Sequence, residues 1–250
     1  MSALPPVVVT RAEAADGPLS TQLRQLGLTV LLWPATHTNA ADSNALDEAL
    51  RQVRKFDWMV FASRHAVAAV LRRLAAQPGN LRVAAVGQAT AQVLRQRGWR
   101  VDVVPDDAEA GALVTALAPQ LSAGARVLYP ASSRALPTIS KGLAQLGVQV
   151  TQVEAYRTEP AALDVAECRK WIERDAVGAV TFASPSAVIE LAQALGKADL
   201  DRLLAHARAI AIGPTTARAL AERGYATTLA EAANLSGLAR TTLHVLQNQT

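Results

Sequence analysis

An α/β fold of two similar halves, each a small doubly wound parallel sheet, is predicted for this 250-residue, 26.3 kDa chain by three observations. Short β-branched runs alternate with amphipathic Ala-, Leu- and Arg-rich stretches along the whole length, and strand, helix and strand in alternation build parallel sheets. Pieces of the first half recur, in order, in the second. The length is about 1.7 typical domains, room for two lobes with separate cores.

Ten runs read as strands: Val7–Thr10, Thr29–Trp33, Trp58–Phe61, Val83–Val86, Val101–Val104, Arg126–Tyr129, Val148–Val153, Ala179–Phe182, Ala209–Ile212 and Ala226–Leu229. Between them, segments such as Leu19–Leu26, Ala66–Leu74, Thr90–Arg97 and Thr216–Arg223 place apolar residues at helical spacing. Gly27, Gly98, Gly147 and Gly224 stand where such helices would end, because glycine accepts the left-handed conformation that closes a helix. Gln25–Val30 recurs as Gln145–Val150, Phe61–Val67 as Phe182–Val188, and Ala85–Ala91 as Ala211–Ala217. Arg97-Gly98-Trp99 returns as Arg223-Gly224-Tyr225. Each half then holds five strands. Polar stretches at 34–44 and 158–162 are expected to be crossings between the lobes. The repeat leaves open whether the lobes are tandem or whether the first strands of one half complete the sheet of the other.

Composition removes several classes of function. Half the residues are hydrophobic and 18% are charged, which excludes long disorder. With 25 Lys and Arg against 21 Asp and Glu the net charge is +4, too slight and too evenly spread for a nucleic-acid binder. No apolar run approaches the roughly 18 residues of a membrane span, and residues 1–11 do not read as a signal peptide, so no membrane association and a cytoplasmic location are expected. One cysteine, Cys168, allows no internal disulfide, and His37, His65, His206 and His244 are too scattered to suggest a metal set. The glycine-rich dinucleotide loop, the Walker loop, the serine-hydrolase elbow and the zinc-protease motif are all missing, so no metal and no cofactor are expected.

Ligands of open parallel sheets bind at the carboxyl ends of the strands, which directs attention to the strand-to-helix turns. Ser63 and Ser184 each end a strand and open a helix, with Pro185 in the first helical position. Gly87 and Gly213 permit equivalent tight turns, and Thr90 and Thr216 place hydroxyls in the first helical turn, beside N–H groups that suit an anion. Helix capping is the plain alternative for any one of these residues; four matched turns in two halves set a shared role in gripping an anion across a cleft evenly against it. Arg11, Arg64, Arg134 and Arg157 are charged candidates, and His65 a further contact. Tyr156, at the second crossing and one of three tyrosines, is a candidate proton donor. Trp33, Trp58, Trp99 and Trp171 are expected to pack in or beside the cores.

Val8–Arg11, Trp58–Ser63, Val86–Ala91, Val153–Thr158, Phe182–Ala187 and Ala211–Ala217 together resemble the uroporphyrinogen-III synthase family, from about Val7 to Leu238. The resemblance implies two flavodoxin-like lobes joined by a two-stranded connection. One lobe would be 1–34 with 158–250, the other 37–156, with the first strands of the chain completing the C-terminal lobe. It implies a cofactor-independent cyclising lyase of tetrapyrrole (haem, sirohaem, cobalamin) biosynthesis. Such an enzyme closes hydroxymethylbilane, a linear polycarboxylate, into uroporphyrinogen III with loss of water and inversion of ring D. The family motifs fall on Ser63, Thr90, Ser184, Ser186 and Thr216 as substrate contacts and on Tyr156 as the catalytic residue, and His65, beside Ser63, is carried over as a further substrate contact. The chain departs from the family pattern at Arg64-His65 and at Gln88, where the matching turn of the other half has Pro214. A monomer acting on a small molecule is expected. The rival reading is a two-lobed cytosolic anion-binding or sensor protein without catalysis; a nucleotide-dependent transferase lacks a phosphate loop. Dialysis against a chelator and removal of nucleotides should leave the implied activity unchanged, and activity that returns only with an added metal ion would overturn this.

Overall fold

A computed structural model describes residues 4–41 and 44–248; residues 1–3 of the N-terminal stretch, and Asp42 and Ser43 of the first polar crossing, lie outside the described residues. In chain order the elements are β1 (Val7–Val9), α1 (Pro18–Gln25), β2 (Val30–Leu32), β3 (Thr36–Ala40), α2 (Asn44–Arg51), β4 (Trp58–Phe61), α3 (Arg64–Leu71), β5 (Arg82–Ala85), α4 (Gln88–Gln96), α5 (Ala110–Leu117), β6 (Arg126–Ser132) and α6 (Thr138–Gln145). They continue with β7 (Gln149–Pro160), α7 (Val165–Glu173), β8 (Ala179–Phe182), α8 (Pro185–Leu195), α9 (Lys197–His206), β9 (Arg208–Ala211), α10 (Pro214–Ala221), β10 (Thr227–Leu229) and α11 (Leu235–Gln247).

The strands form two five-stranded sheets, ordered β2-β1-β8-β9-β10 and β3-β7-β6-β4-β5. Every pairing in the first sheet is parallel, as are β5·β4, β4·β6 and β6·β7 in the second. β1 consists of Val7, Val8 and Val9, all fully buried, as a strand between two parallel neighbours and two helical layers must be. Burying each valine contributes about 1.5–3 kcal/mol. Val7 and Val9 pack with α1 and α11, Val8 with α7, α8, α9 and α10. In the second sheet Met59 and Phe61 face α2, α3 and α4, whereas Trp58 and Val60 face α5 and α6.

The chain divides into two compact units, one holding residues up to His37 with those from Glu159 onward, the other Thr38–Thr158. The pairing of β1 with β8 answers the question the repeat left open: the first two strands complete the sheet of the C-terminal half. The repeated segments hold equivalent positions. Gln25–Val30 and Gln145–Val150 lead from α1 into β2 and from α6 into β7. Phe61–Val67 and Phe182–Val188 lead from β4 into α3 and from β8 into α8. The Gln-Leu-Gly βαβ piece therefore opens one unit in sequence and closes the other, which leaves the order of neighbours the same.

Two strand expectations are corrected. Val101–Val104 is no full strand; only Val103 bridges, to Ala84. Asp102 explains this, because its carboxylate accepts from the Val83 amide at 2.9 Å and so stands in for a backbone acceptor. The fifth strand of that sheet is β3, inside the stretch expected to be only a polar crossing; its Thr, His and Asn residues suit an edge with one buried end. β7 likewise runs on to Pro160. The boundaries between the units fall within β3 and β7, which are neighbours in the sheet.

Gly27, Gly98, Gly147 and Gly224 have φ of +80°, +76°, +76° and +84°, the left-handed ends their positions implied. Trp33, Trp58 and Trp99 are buried and Trp171 packs at the edge of its core. Among the described residues no helix is long and apolar enough to cross a membrane. Thr38–Thr158 produced alone should unfold cooperatively in urea, whereas 159–250 alone should not, because β8 loses the buried neighbour β1. Circular dichroism checks both, and restoration by co-produced residues 1–37 completes the test.

Candidate active site

Ser63 follows β4 in extended backbone (φ −155°, ψ 156°), and its Oγ accepts from the Ala66 amide at 3.2 Å, capping α3. The same hydroxyl donates to Tyr156 Oη at 2.9 Å. His65, in the first turn of α3, holds its ring 5.3 Å from the tyrosine ring, tilted by 49°. Three residues picked out in the sequence thus meet at the carboxyl ends of β4 and β7. The single proton of Ser63 is spent on Tyr156, so the phenol's own proton is not used in that bond. A bond donated to the phenol oxygen strengthens as that oxygen takes on negative charge.

The neighbouring turn, from β5 into α4, is built on Gly87, where a Cβ would lie 3.2 Å from that of Ala108. Thr90 is buried, and the Thr90 and Ala91 amides both donate to the Gly87 carbonyl, at 3.0 and 3.1 Å. Gln88 and Ala89 are the first-turn donors for which a helix supplies no acceptor of its own.

In the other unit Ser184 (φ −162°, ψ 155°) caps α8 by accepting from the Ala187 amide at 3.3 Å, and its Oγ lies 3.0 Å from Ser186 Oγ. At the start of α10 the Thr216 and Ala217 amides donate to the Gly213 carbonyl at 3.1 and 3.0 Å, and Thr216 is buried. Pro185 and Pro214 carry no N–H, so each of these helices begins with one donor fewer than its counterpart. The 120-residue offset of the Gln-Leu-Gly piece sets Thr36 against Tyr156, so the phenol belongs to one unit only.

Charged candidates divide. Arg11 Nε lies 3.3 Å from Glu13, and Arg157 Nε 2.6 Å from Glu154. Arg64 is exposed beside Ser63, and the Arg134 amide donates to Ser132 Oγ at 3.2 Å. Glu13 went unnoticed in the sequence. Its carboxylate, almost wholly buried, accepts from the Ser20 amide and hydroxyl, each at 2.6 Å, and so occupies the N-terminus of α1. No local signal marks a residue that caps a helix from seven positions upstream. Ser132 and Ser133, which bond to the chain around Tyr156, were also missed, since their partners lie a strand away. Burial, and then the nearness of Tyr156, pushes the Tyr129 phenol up to about 12. Burial also holds the Cys168 thiol near 12, in its unreactive form. Among the described residues no group of three His, Cys, Asp or Glu side chains is arranged to hold a metal ion.

Two sheets of mostly parallel strands with helices packed on them, and hydroxyls at the helix starts with a phenol at one of them, define a protein of the α/β class. A family model described as uroporphyrinogen-III synthase HemD matches residues 17–240. A putative uroporphyrinogen-III synthase of Methanothermobacter thermautotrophicus is 31% identical over 87% of this chain and 89% of its own length. The uroporphyrinogen-III synthase of Synechococcus elongatus is 36% identical over 61% of this chain, and the match spans 60% of that relative. Among solved structures, a mutant uroporphyrinogen III synthase of the extremely thermophilic bacterium Thermus thermophilus has a TM-score of 0.67 at 22% identity, covering 97% of this chain and 99% of that one. Uroporphyrinogen-III synthetase of Helicobacter pylori has a TM-score of 0.65 at 17% identity, covering 97% and 100%. At those identities the likeness is one of fold. The chain belongs to the uroporphyrinogen-III synthase family, cyclising lyases of tetrapyrrole biosynthesis.

Because Ser63 and Ser184 both cap helices, Ser63→Ala and Ser184→Ala should each lower unfolding stability by about 1 kcal/mol. Urea titration reads this, and a stability loss in Ser63→Ala well below that in Ser184→Ala would contradict the capping role of Ser63.

Proposed function

We propose that this chain closes hydroxymethylbilane into uroporphyrinogen III, with Tyr156 as proton donor and the strand-to-helix turns of both units holding the substrate carboxylates. The observation that carries this reading is the bond from Ser63 to the Tyr156 oxygen, 2.9 Å long, which leaves the phenol proton for another acceptor. In the first step that proton passes to the hydroxyl of the bilane's terminal carbon, the C–O bond breaks, water leaves, and an azafulvene cation and a tyrosinate remain. The substituted carbon of ring D then attacks the cation, giving a spiro intermediate that fragments and recloses with ring D inverted. A proton lost from the ring system on rearomatisation returns to Tyr156, so the enzyme ends as it began.

The remaining work is orientation. Unaided closure uses the free carbon of ring D, and holding the chain so that the substituted carbon arrives first is the kind of effect positioning can supply. A polycarboxylate substrate suits the turns that carry Ser63, His65, Thr90, Ser184, Ser186 and Thr216, because first-turn amides and uncommitted hydroxyls bind carboxylates without a fixed charge, while the Ser63 hydroxyl itself stays with the phenol. The arrangement of the units as two flavodoxin-like lobes, 1–34 with 158–250 and 37–156, joined by two strands, is part of the same reading. Its support is the shared neighbour order of the sheets and the pairing of β3 with β7. It requires no metal or organic cofactor and no second copy of the chain.

Incubation with freshly generated hydroxymethylbilane, resolving isomers I and III, tests the activity; isomer I alone at the uncatalysed rate would overturn it. Tyr156→Phe should lower kcat about 10²-fold or more with the fold intact. Thr90→Ala and Thr216→Ala should each be mild, and the pair should raise KM more than the singles combined, because one ligand then loses two contacts. Full rate in Tyr156→Phe would remove the proton-donor role.

A further inference from the structure

Strand alternation by itself would turn Tyr156 away from Ser63. Along β7, Val150 packs with the α5 and α6 side of the sheet, while Val153 and Ala155 pack with the α3 and α4 side. Successive side chains of a strand point to opposite faces, so Tyr156 belongs by parity with Val150. It packs instead against the α3 and α4 cluster, beside Ala155. The register shows why. Ala131 pairs with Glu154, and the next residue, Ser132, pairs with Tyr156, so Ala155 is an extra residue with no partner opposite. Such a bulge re-aims the side chain beside it. Glu154 and Arg157 report the same change of phase: three apart in a strand they would point to opposite faces, yet they form an ion pair at 2.6 Å.

We propose that Ser133, seconded by Ser132, is a positioning residue that holds this bulge and thereby keeps Tyr156 on the α3 side of the sheet, within reach of Ser63. The bonds fall at the tyrosine's own carbonyl and two residues beyond it. The Ser133 amide donates to the Tyr156 carbonyl at 3.0 Å, and Ser133 Oγ accepts from the Thr158 amide at 3.3 Å. Ser132 Oγ lies 3.2 Å from Thr158 Oγ1. A bulge interrupts the regular ladder, and here serine hydroxyls take over contacts that backbone groups make elsewhere. Ser133 is itself exposed and belongs to no core, so its hydroxyl is not needed for packing.

The proposal rests on the reading of Tyr156 as proton donor, and the experiment separates the two. The protein has three tyrosines, so tyrosine labelled with ¹³C at the ring gives three signals, with that of Tyr156 assigned by its loss in Tyr156→Phe. In Ser133→Ala the Tyr156 signal should move while that of Tyr225, in the other unit, stays. kcat should fall about tenfold with KM nearly unchanged, as displacement of a reacting group costs rate more than binding. Ser133→Thr, which keeps the hydroxyl, should restore both. In the Tyr156→Phe background Ser133→Ala should cost nothing further. An unmoved Tyr156 signal, an unchanged kcat, or an equal loss in the Tyr156→Phe background overturns the positioning role while leaving the donor intact. Full rate in Tyr156→Phe overturns the donor, and the positioning claim with it, even where the signal moves. Should Ser133→Ala fail to fold, Ser132→Ala is read by the same criteria.

Discussion

An extended residue just before the helix, at four of the strand-to-helix turns, is the constraint on which the arrangement of the candidate site depends. Ser63, Gly87, Ser184 and Gly213 all adopt it, with φ between −148° and −164° and ψ between 155° and 171°. In that conformation the carbonyl of the residue faces the helix and closes its first bonds, as Gly87 and Gly213 do for two amides each. The side chain, where there is one, is left to cap an amide. Because parallel strands bring their carboxyl ends to one edge of a sheet, turns of this kind gather there without further design.

The duplicated scaffold carries unequal chemistry. Both units own a serine cap and a glycine turn, yet only Thr38–Thr158 brings a phenol to its serine. The cap of α8 bonds instead to its own neighbour Ser186. Prolines at the first positions of α8 and α10 trade one amide donor for a preset helix start, whereas Arg64 and Gln88 keep that donor. The N-terminus of α1 departs furthest, since the carboxylate of Glu13 already fills it. A helix start satisfied from within is a poor place to receive an external carboxylate.

Much was legible in the residues themselves. Alternating β-branched and amphipathic runs, the glycines at +76° to +84°, and the recurrence of Gln-Leu-Gly and Phe-Ala-Ser determined an α/β chain of two related halves, because these signals are local and periodic. The strand-to-helix turns were found for the same reason: Ser, Gly and Pro have strong preferences at helix starts that need no distant partner.

Other features required the fold. That β1 pairs with β8 rather than closing a sheet with β4 is a matter of connection, which hydrophobic pattern does not encode. β3 was hidden because an edge strand can be polar, and Val101–Val104 was overread because the carboxylate of Asp102 replaces a backbone acceptor. Tyr156 shows the division most plainly. Its residue type and place were visible in the sequence, but the extra residue Ala155, and the hydroxyls of Ser132 and Ser133 opposite, decide which face it takes. A one-residue change of register reverses every side chain beyond it, and register is set by partners a strand away in space and more than twenty residues away in sequence.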